Sequence, residues 1–287
     1  MLLLGLFLAH LIADFYLQTD EMVKEKRKYL KKHIVHHFVL TSMVLLAFWG
    51  CHFSKTSFLE KVIFPVLFIV VSHLLIDLFK IKLLDSIKIK NDANIKQAGF
   101  FILDQFLHLG FLILCGQLYL RLKWTRVFEV FEDDRGIGPI NSVLFIIIIV
   151  ILATSVSGHM IRILLGSLPN QMLTFEGKYA FKQERKEAHF ENKRMGEKGI
   201  SEEYNYTIFS KHDLSRGKLI GYIERLLVLM LTFYGSYPAI GFIVAAKSIA
   251  RFKQMDDRDW AEYFLLGTLT SMLLGIGLGI VLREVLI

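Results

Sequence analysis

Eight apolar runs, each near the roughly 20 residues a helix needs to cross a bilayer, constrain this chain more than any other feature. They occupy 1–19, 33–53, 62–80, 99–121, 140–165, 217–235, 237–252 and 260–285. Backbone polar groups in hydrocarbon must be satisfied within the segment itself. The predicted fold class is therefore all-α: a polytopic integral membrane helical bundle with about eight transmembrane helices. A hydrophobic share of 54% agrees, being high for an ordinary soluble domain. The seventh run is short and fits a tilted or re-entrant helix. The first lacks a basic flank and a small-residue cleavage site, so a removed signal peptide is not expected.

The net charge of +7 is distributed by loop, which excludes nucleic acid as the partner it would otherwise suggest. Lys24 to Lys32 crowd the first loop, Lys80 to Lys96 the third, and Lys178 to Arg216 the segment after helix five. The second loop is poorer in basic residues, and the fourth is offset by Glu129, Glu132, Asp133 and Asp134. Alternation of this kind is the positive-inside pattern. It predicts a multi-pass cell-membrane protein, with the N-terminus outside and the basic loops cytoplasmic. Cys51 and Cys115 sit in different apolar runs and make neither a disulfide framework nor a CxxC site.

The chain divides into four regions: 1–121, a four-helix membrane bundle; 122–165, an outer loop and the fifth transmembrane helix; 166–216, a polar cytoplasmic segment; and 217–287, C-terminal transmembrane helices with a basic cluster. Helix eight carries Gly275 and Gly279, a GxxxG spacing that lets helices approach closely.

Helices one to four concentrate the ionisable residues. Helix one reads HLIADFYLQ, with His10, Asp14 and Gln18 at intervals of four and so on one stripe. Helix two begins HIVHHFVL, with His33, His36 and His37; helix three contains His73 and Asp77; helix four contains Asp104 and His108. Helices one and three run inward with their pairs late, and helices two and four run outward with theirs early. All the pairs therefore fall at one depth, in the cytoplasmic half. Bundles build metal sites by presenting such side chains from several helices at one level. Imidazole with carboxylate suits zinc, manganese or iron. His10, Asp14, His36, His73, Asp77, Asp104 and His108 make seven candidate ligands, enough for one or two divalent ions. Spacing leaves His36 against His37 open. His33, His52, His159 and Asp20 read as interfacial or structural.

HLIADFYLQTDEM, SHLLIDLFK and LDQFLH, with the late GYIERLL, AAKSIARF and EYFLLGTLTS, resemble the bacterial membrane family known as domain of unknown function 3307. The resemblance spans the chain except residues 122–215. In that family the helix-two histidine is followed by an aromatic and a threonine. That implies His36 with Thr41, although Leu40 stands where the aromatic would be. The HxxxD-rich helices are also similar to those of membrane-bound metal-dependent hydrolases, which implies hydrolysis.

The leading expectation is a metal-dependent hydrolase acting on a phosphate-bearing lipid or isoprenoid at the cytoplasmic leaflet. Asp14 or Asp104 would serve as general base if not ligating metal. Lys247, Arg251 and Arg225 would bind substrate phosphate, because basic side chains match its oxygens. The implied partner is membrane lipid, and a homo-oligomer is compatible with such a bundle. Two alternatives stand beside it: a metal- or proton-coupled transporter, and a non-catalytic metal-stabilised scaffold or sensor. The transporter expects a polar path across the whole membrane, whereas LLAFWG, FPVLFIVV and GFLILCG in the outer halves are apolar.

Overall fold

The computed structural model describes residues 1–53, 57–87, 94–120, 137–166, 211–256 and 258–287. Most of the polar segment 166–216, and nearly all of the outer loop before helix five, lie outside the described residues. Among the described residues every regular element is helical.

The first helix, α1, covers Leu2–Phe15, so it ends before Gln18 and not at residue 19. Both Tyr16 and Leu17 return their N–H to the Ile12 carbonyl, at 3.1 Å each, closing the last turn. Thr19 then opens the single-turn α2 (Asp20–Lys24), its side chain accepting the Met22 N–H at 3.4 Å. That is the N-cap role threonine favours.

Helix α3 (Lys26–Phe48) begins well before the apolar run that marks it in sequence. Hydropathy detects where a helix is apolar, and the lysines of its first turns are good helix formers that simply carry charge. Helix α4 (Phe64–Ile87) is preceded by a π-turn at Leu59–Ile63, and α5 covers Asn94–Leu120. The fifth apolar run is one helical stretch, α6 (Pro139–Leu165), with a π-turn at Leu152–Val156. It stops at Gly166, whose φ of +59° suits glycine,. There Asn94 Nδ2 donates to the Leu164 carbonyl at 3.2 Å, tying the start of α5 to the end of α6. Helices α7 (Lys211–Phe233), α8 (Tyr237–Ala250) and α9 (Arg258–Leu286) follow.

Among the described residues, five helical stretches are long and apolar enough to cross a membrane: Lys26–Cys51, Leu59–Leu83, Asn94–Leu120, Pro139–Leu165 and Trp260–Leu286. Helices α1 and α8 are apolar but have 14 residues each, about 21 Å at 1.5 Å per residue, against a hydrocarbon core of about 30 Å.

Helices α1, α3, α4 and α5 close a ring in which each touches the next. One end of this ring is an apolar layer in which Leu2, Leu6, Leu45, Val66, Leu112 and Cys115 interlock. These residues come from the start of α1, the end of α3, the start of α4 and the end of α5, so neighbouring helices run antiparallel. Close van der Waals contact holds such a layer together.

Helix α6 packs on α1 and α5 by one side and on α7 and α9 by the other. The α7–α9 contact uses the GxxxG face. A Cβ at Gly279 would lie 2.6 Å from Thr232 Cβ, and one at Gly275 would lie 3.0 Å from Val228 Cγ1.

Candidate metal centre

The end of the ring opposite the apolar layer is a layer of histidine and aspartate. Helix α1 supplies His10 and Asp14 from its last turns, and α3 supplies His33 and His37. Helix α4 adds His73 and Asp77, and α5 adds Asp104 and His108. All are buried except Asp14, which retains 10% exposure of its side chain. Within each helix the two donors stand four apart, so both face inward one above the other.

The contacts are dense. His37 Nε2 lies 2.8 Å from Asp14 Oδ1, and His33 Nε2 lies 3.4 Å from the same oxygen. His33 and His73 bring their Nε2 atoms to 3.0 Å. Asp77 Oδ2 is 3.6 Å from each of those two nitrogens. The His37 and His73 rings have centroids 3.6 Å apart, and His73 and His108 4.2 Å.

Among the described residues, three groups of donors place one ligand atom per residue within 4.8 Å of one another: His10, Asp14, His37 and His73; His33, His73 and Asp77; Asp77, Asp104 and His108. His73 joins the first two and Asp77 the last two.

The donor chemistry fits a divalent cation. His108 Nδ1 lies 2.8 Å from the Asp104 carbonyl, one turn back. That contact requires Nδ1 to carry the proton, which leaves Nε2 as a bare lone pair. This is how metal-ligating histidines are commonly oriented. His108 Nε2, His10 Nε2, Asp77 Oδ2 and Asp104 Oδ1 are all buried with no hydrogen-bond partner. Each such orphan costs about 1–3 kcal/mol, and four in one layer is a large penalty for a site with nothing to bind. The Nε2 pair of His33 and His73 can share one proton or ligate one cation.

Two lysines close the layer. Lys26 Nζ contacts Asp77 Oδ1 and Lys80 Nζ contacts Asp104 Oδ2, both at 2.6 Å. Gln105 Nε2 lies 3.4 Å from both Asp14 Oδ2 and Asp104 Oδ2. Beyond them a cleft of about 1310 Å³ opens between the ends of α1, α3, α4 and α5 and the facing parts of α6 and α7, with Asp14, Asp104 and Gln105 among its lining.

The structure distributes the sequence candidates unevenly. Six of the seven proposed ligands, His10, Asp14, His73, Asp77, Asp104 and His108, come together. His36 does not: it is half-buried and outside all three donor groups, because it lies about 100° around the helix from His37. His33, which from sequence reads as interfacial or structural, is 2% exposed and within the layer. The earlier start of α3 is the reason, since it carries His33 two turns into the helix. Thr41, also buried, continues the 33–37–41 stripe. Applying to α3 the four-residue spacing used for the other helices selects His33 and His37. Gln18 lies beyond the end of α1 and lines the cleft. His159, on α6, lines it too.

Arg225, Lys247 and Arg251 do not line this cleft. Arg225 is buried between α6, α7 and α9. Its guanidinium donates to the Ala153 carbonyl at 2.5 Å, the Thr154 carbonyl at 3.3 Å and Ser271 Oγ at 3.3 Å. Two of those acceptors belong to the π-turn of α6, where the ordinary helical ladder is interrupted. Lys247 is paired with Glu224 at 2.6 Å, and Arg251 lies 6.0 Å from the centroid of the Phe264 ring. The cationic lining of the cleft, including Lys26, Lys80, Arg162 and Lys218, was not singled out as substrate-binding by sequence; reading the basic ends of α3 and α4 as helix rather than loop would have pointed to the first two.

No curated protein and no solved structure matches the chain, and none of the comparisons supports the likeness to membrane-bound metal-dependent hydrolases. The late motifs of α7 to α9 also fall outside the residues that a family model matches. That match covers residues 2–132, the stretch that contains the whole ring and every donor of the layer, and it supports placing this part of the chain with the family described as Protein of unknown function (DUF3307).

Proposed function

We propose that the protein is a membrane-embedded, metal-dependent hydrolase that acts at the cytoplasmic leaflet on a phosphate-bearing lipid or isoprenoid. One observation carries the reading: a buried layer of five histidines and three aspartates opens to a cleft on one side and is backed by an apolar layer on the other. In this reading the chain crosses the membrane eight times, with its N-terminus outside. The short α1 brings the layer close to the cytoplasmic interface, and the cleft faces the headgroups.

The centre would hold one or two divalent ions, zinc, manganese or iron, on the histidines and aspartates named above. Such an ion supplies Lewis-acid polarisation of the scissile group. Asp14 and Asp104 both line the cleft, so either carboxylate is placed to accept a proton from an attacking water. Gln105, within 3.4 Å of both, would fix their orientation. The transport alternative needs a polar route onward from the layer. Leu6, Leu45, Val66 and Leu112 lie there instead.

The experiment is turnover by purified, metal-loaded protein on a panel of lipid phosphates and phosphodiesters. Metal-dependent hydrolysis that is abolished by Asp14→Asn is expected. Metal-dependent flux in proteoliposomes, with no turnover of any lipid, would shift the assignment to transport.

A further inference from the structure

The cleft is strongly asymmetric in charge. Lys26, Arg27, Lys28, Lys80, Arg162 and Lys218 line it, against Asp14, Glu25 and Asp104. Glu25 is paired with Lys28 at 2.8 Å, and the two aspartates belong to the donor layer. A vestibule that delivered metal cations to that layer would carry the opposite sign, since like charge lowers the local concentration of a ligand. Along this one the cationic side chains outnumber the carboxylates, which suits an anionic ligand.

Two of the cations hold a special place. Lys26 and Lys80 each spend one contact on a carboxylate of the layer, Asp77 and Asp104 respectively. Those carboxylates are members of a single donor group spanning at most 4.8 Å. Both lysine side chains keep partial exposure, 21% and 25%, and both line the cleft. An ammonium has three protons to donate, so each lysine can hold its aspartate and still donate toward the cleft. The pair thus stands at the boundary between the donor layer and the anion-attracting vestibule. Phe15, Phe100 and Phe101 line the same cleft, which gives an apolar flank beside the charged floor.

We infer that Lys26 and Lys80 form a phosphate clamp, and that the substrate is a lipid carrying a terminal phosphate monoester. The phosphate sits over the donor layer with its non-bridging oxygens accepting from the two ammonium groups, and the lipid body lies against the aromatic flank. A monoester is favoured over a diester because it presents three non-bridging oxygens and the higher negative charge. The inference rests on the hydrolase reading and narrows its substrate. Hydrolysis forms a bond from the water oxygen to phosphorus and breaks the P–O bond to the lipid. One water proton passes through Asp14 or Asp104 to the departing alkoxide, so the products are a lipid alcohol and inorganic phosphate.

The test is binding by the full chain in detergent, metal-loaded and metal-stripped, measured by titration calorimetry. The probes are short-chain phosphatidate, the matching diacylglycerol, short-chain phosphatidylglycerol and inorganic phosphate. Phosphatidate should bind more tightly than the other three. Lys26→Gln and Lys80→Gln should each weaken it roughly tenfold or more, the loss of one charge-assisted hydrogen bond, while Lys80→Arg retains most of the affinity. If a glutamine variant fails to fold, Lys218→Ala on the exposed far wall should still weaken phosphatidate binding about threefold, as removal of a solvent-exposed charge does.

Equal binding of inorganic phosphate and phosphatidate would overturn the lipid assignment, and equal binding of phosphatidylglycerol the monoester assignment. Unchanged phosphatidate affinity in the folded lysine variants would overturn the clamp. Metal-dependent cleavage of some other lipid ester without phosphatidate binding would remove the clamp and leave the hydrolase. Phosphatidate binding by a protein that never takes up metal would do the reverse.

Discussion

The Nε2 atoms of His33 and His73 lie 3.0 Å apart, presented by adjacent helices and both buried. Two neutral imidazoles in that position can satisfy each other only by sharing a proton. Two ligands about 2.0–2.1 Å from one tetrahedral zinc sit roughly 3.3 Å apart, close to the spacing found. The same pair also lies 3.6 Å from Asp77 Oδ2. That spacing would suit a cation shared by both rings and the carboxylate.

The first prediction separates the three histidines of α3. His33→Ala and His37→Ala should each lower metal affinity by more than the roughly 10–100-fold typical of outer-shell changes. His36→Ala should leave it within about threefold of wild type, the range left for a side chain outside the ligand set. Competition with a chromophoric chelator measures all three. Equal losses at His36 and His37 would contradict the assignment.

Most of the donor layer was legible in the sequence because four-residue spacing is a strong helical signal. His10 with Asp14, His73 with Asp77, and Asp104 with His108 could be paired without coordinates. His33 opens the apolar run and so reads as lacking a partner at the depth of the other pairs, while the helix itself begins at Lys26. The residues expected to bind substrate lie away from the cleft for a different reason. Lys247, Arg251 and Arg225 sit at plausible spacings on their own helices, but spacing carries no information about which helix stands beside the cleft. The partners that define their surroundings, Glu224, Phe264 and the π-turn carbonyls of Ala153 and Thr154, are long-range contacts that no local pattern encodes.

Arg225 should therefore act on stability and not on the centre. Arg225→Ala removes hydrogen bonds from a cationic donor to three buried acceptors, and each such bond contributes about 1.5–3 kcal/mol. Thermal unfolding in detergent should show a clear loss, with metal content per folded protein unchanged. Wild-type stability with lost lipid binding would restore the substrate role.

Gly279 should tolerate no side chain. A Cβ there would meet Thr232 Cβ at 2.6 Å and the Leu229 carbonyl at 3.0 Å, and neither can move without shifting α7. Gly279→Val should destabilise by about 1–3 kcal/mol or more, as overpacking does. Gly277→Val is the control, because nothing lies within 4 Å of a Cβ at that position. Chemical denaturation of the two variants compares them directly.

The topology proposal places the turn after α7 outside and the start of α3 inside. In a background lacking Cys51 and Cys115, Tyr234→Cys should react with an impermeant maleimide on intact cells. Tyr234 is 75% exposed in that turn. Lys32→Cys and Glu202→Cys should react only after the membrane is opened. Labelling of Lys32→Cys from outside would invert the orientation.

The central claim is that this layer holds metal. The direct measurement is the metal-to-protein ratio of purified wild type and His73→Ala, by plasma mass spectrometry after exposure to zinc, manganese and iron in turn and removal of free ion. His73 is the discriminating position because it belongs to two of the three donor groups. Wild type should retain about one or two ions of one of these metals, the complement that a one- or two-metal site takes, and His73→Ala should lose most of it while staying folded. A wild-type protein that retains none of the three metals, or a His73→Ala variant that keeps the wild-type content, would contradict the account.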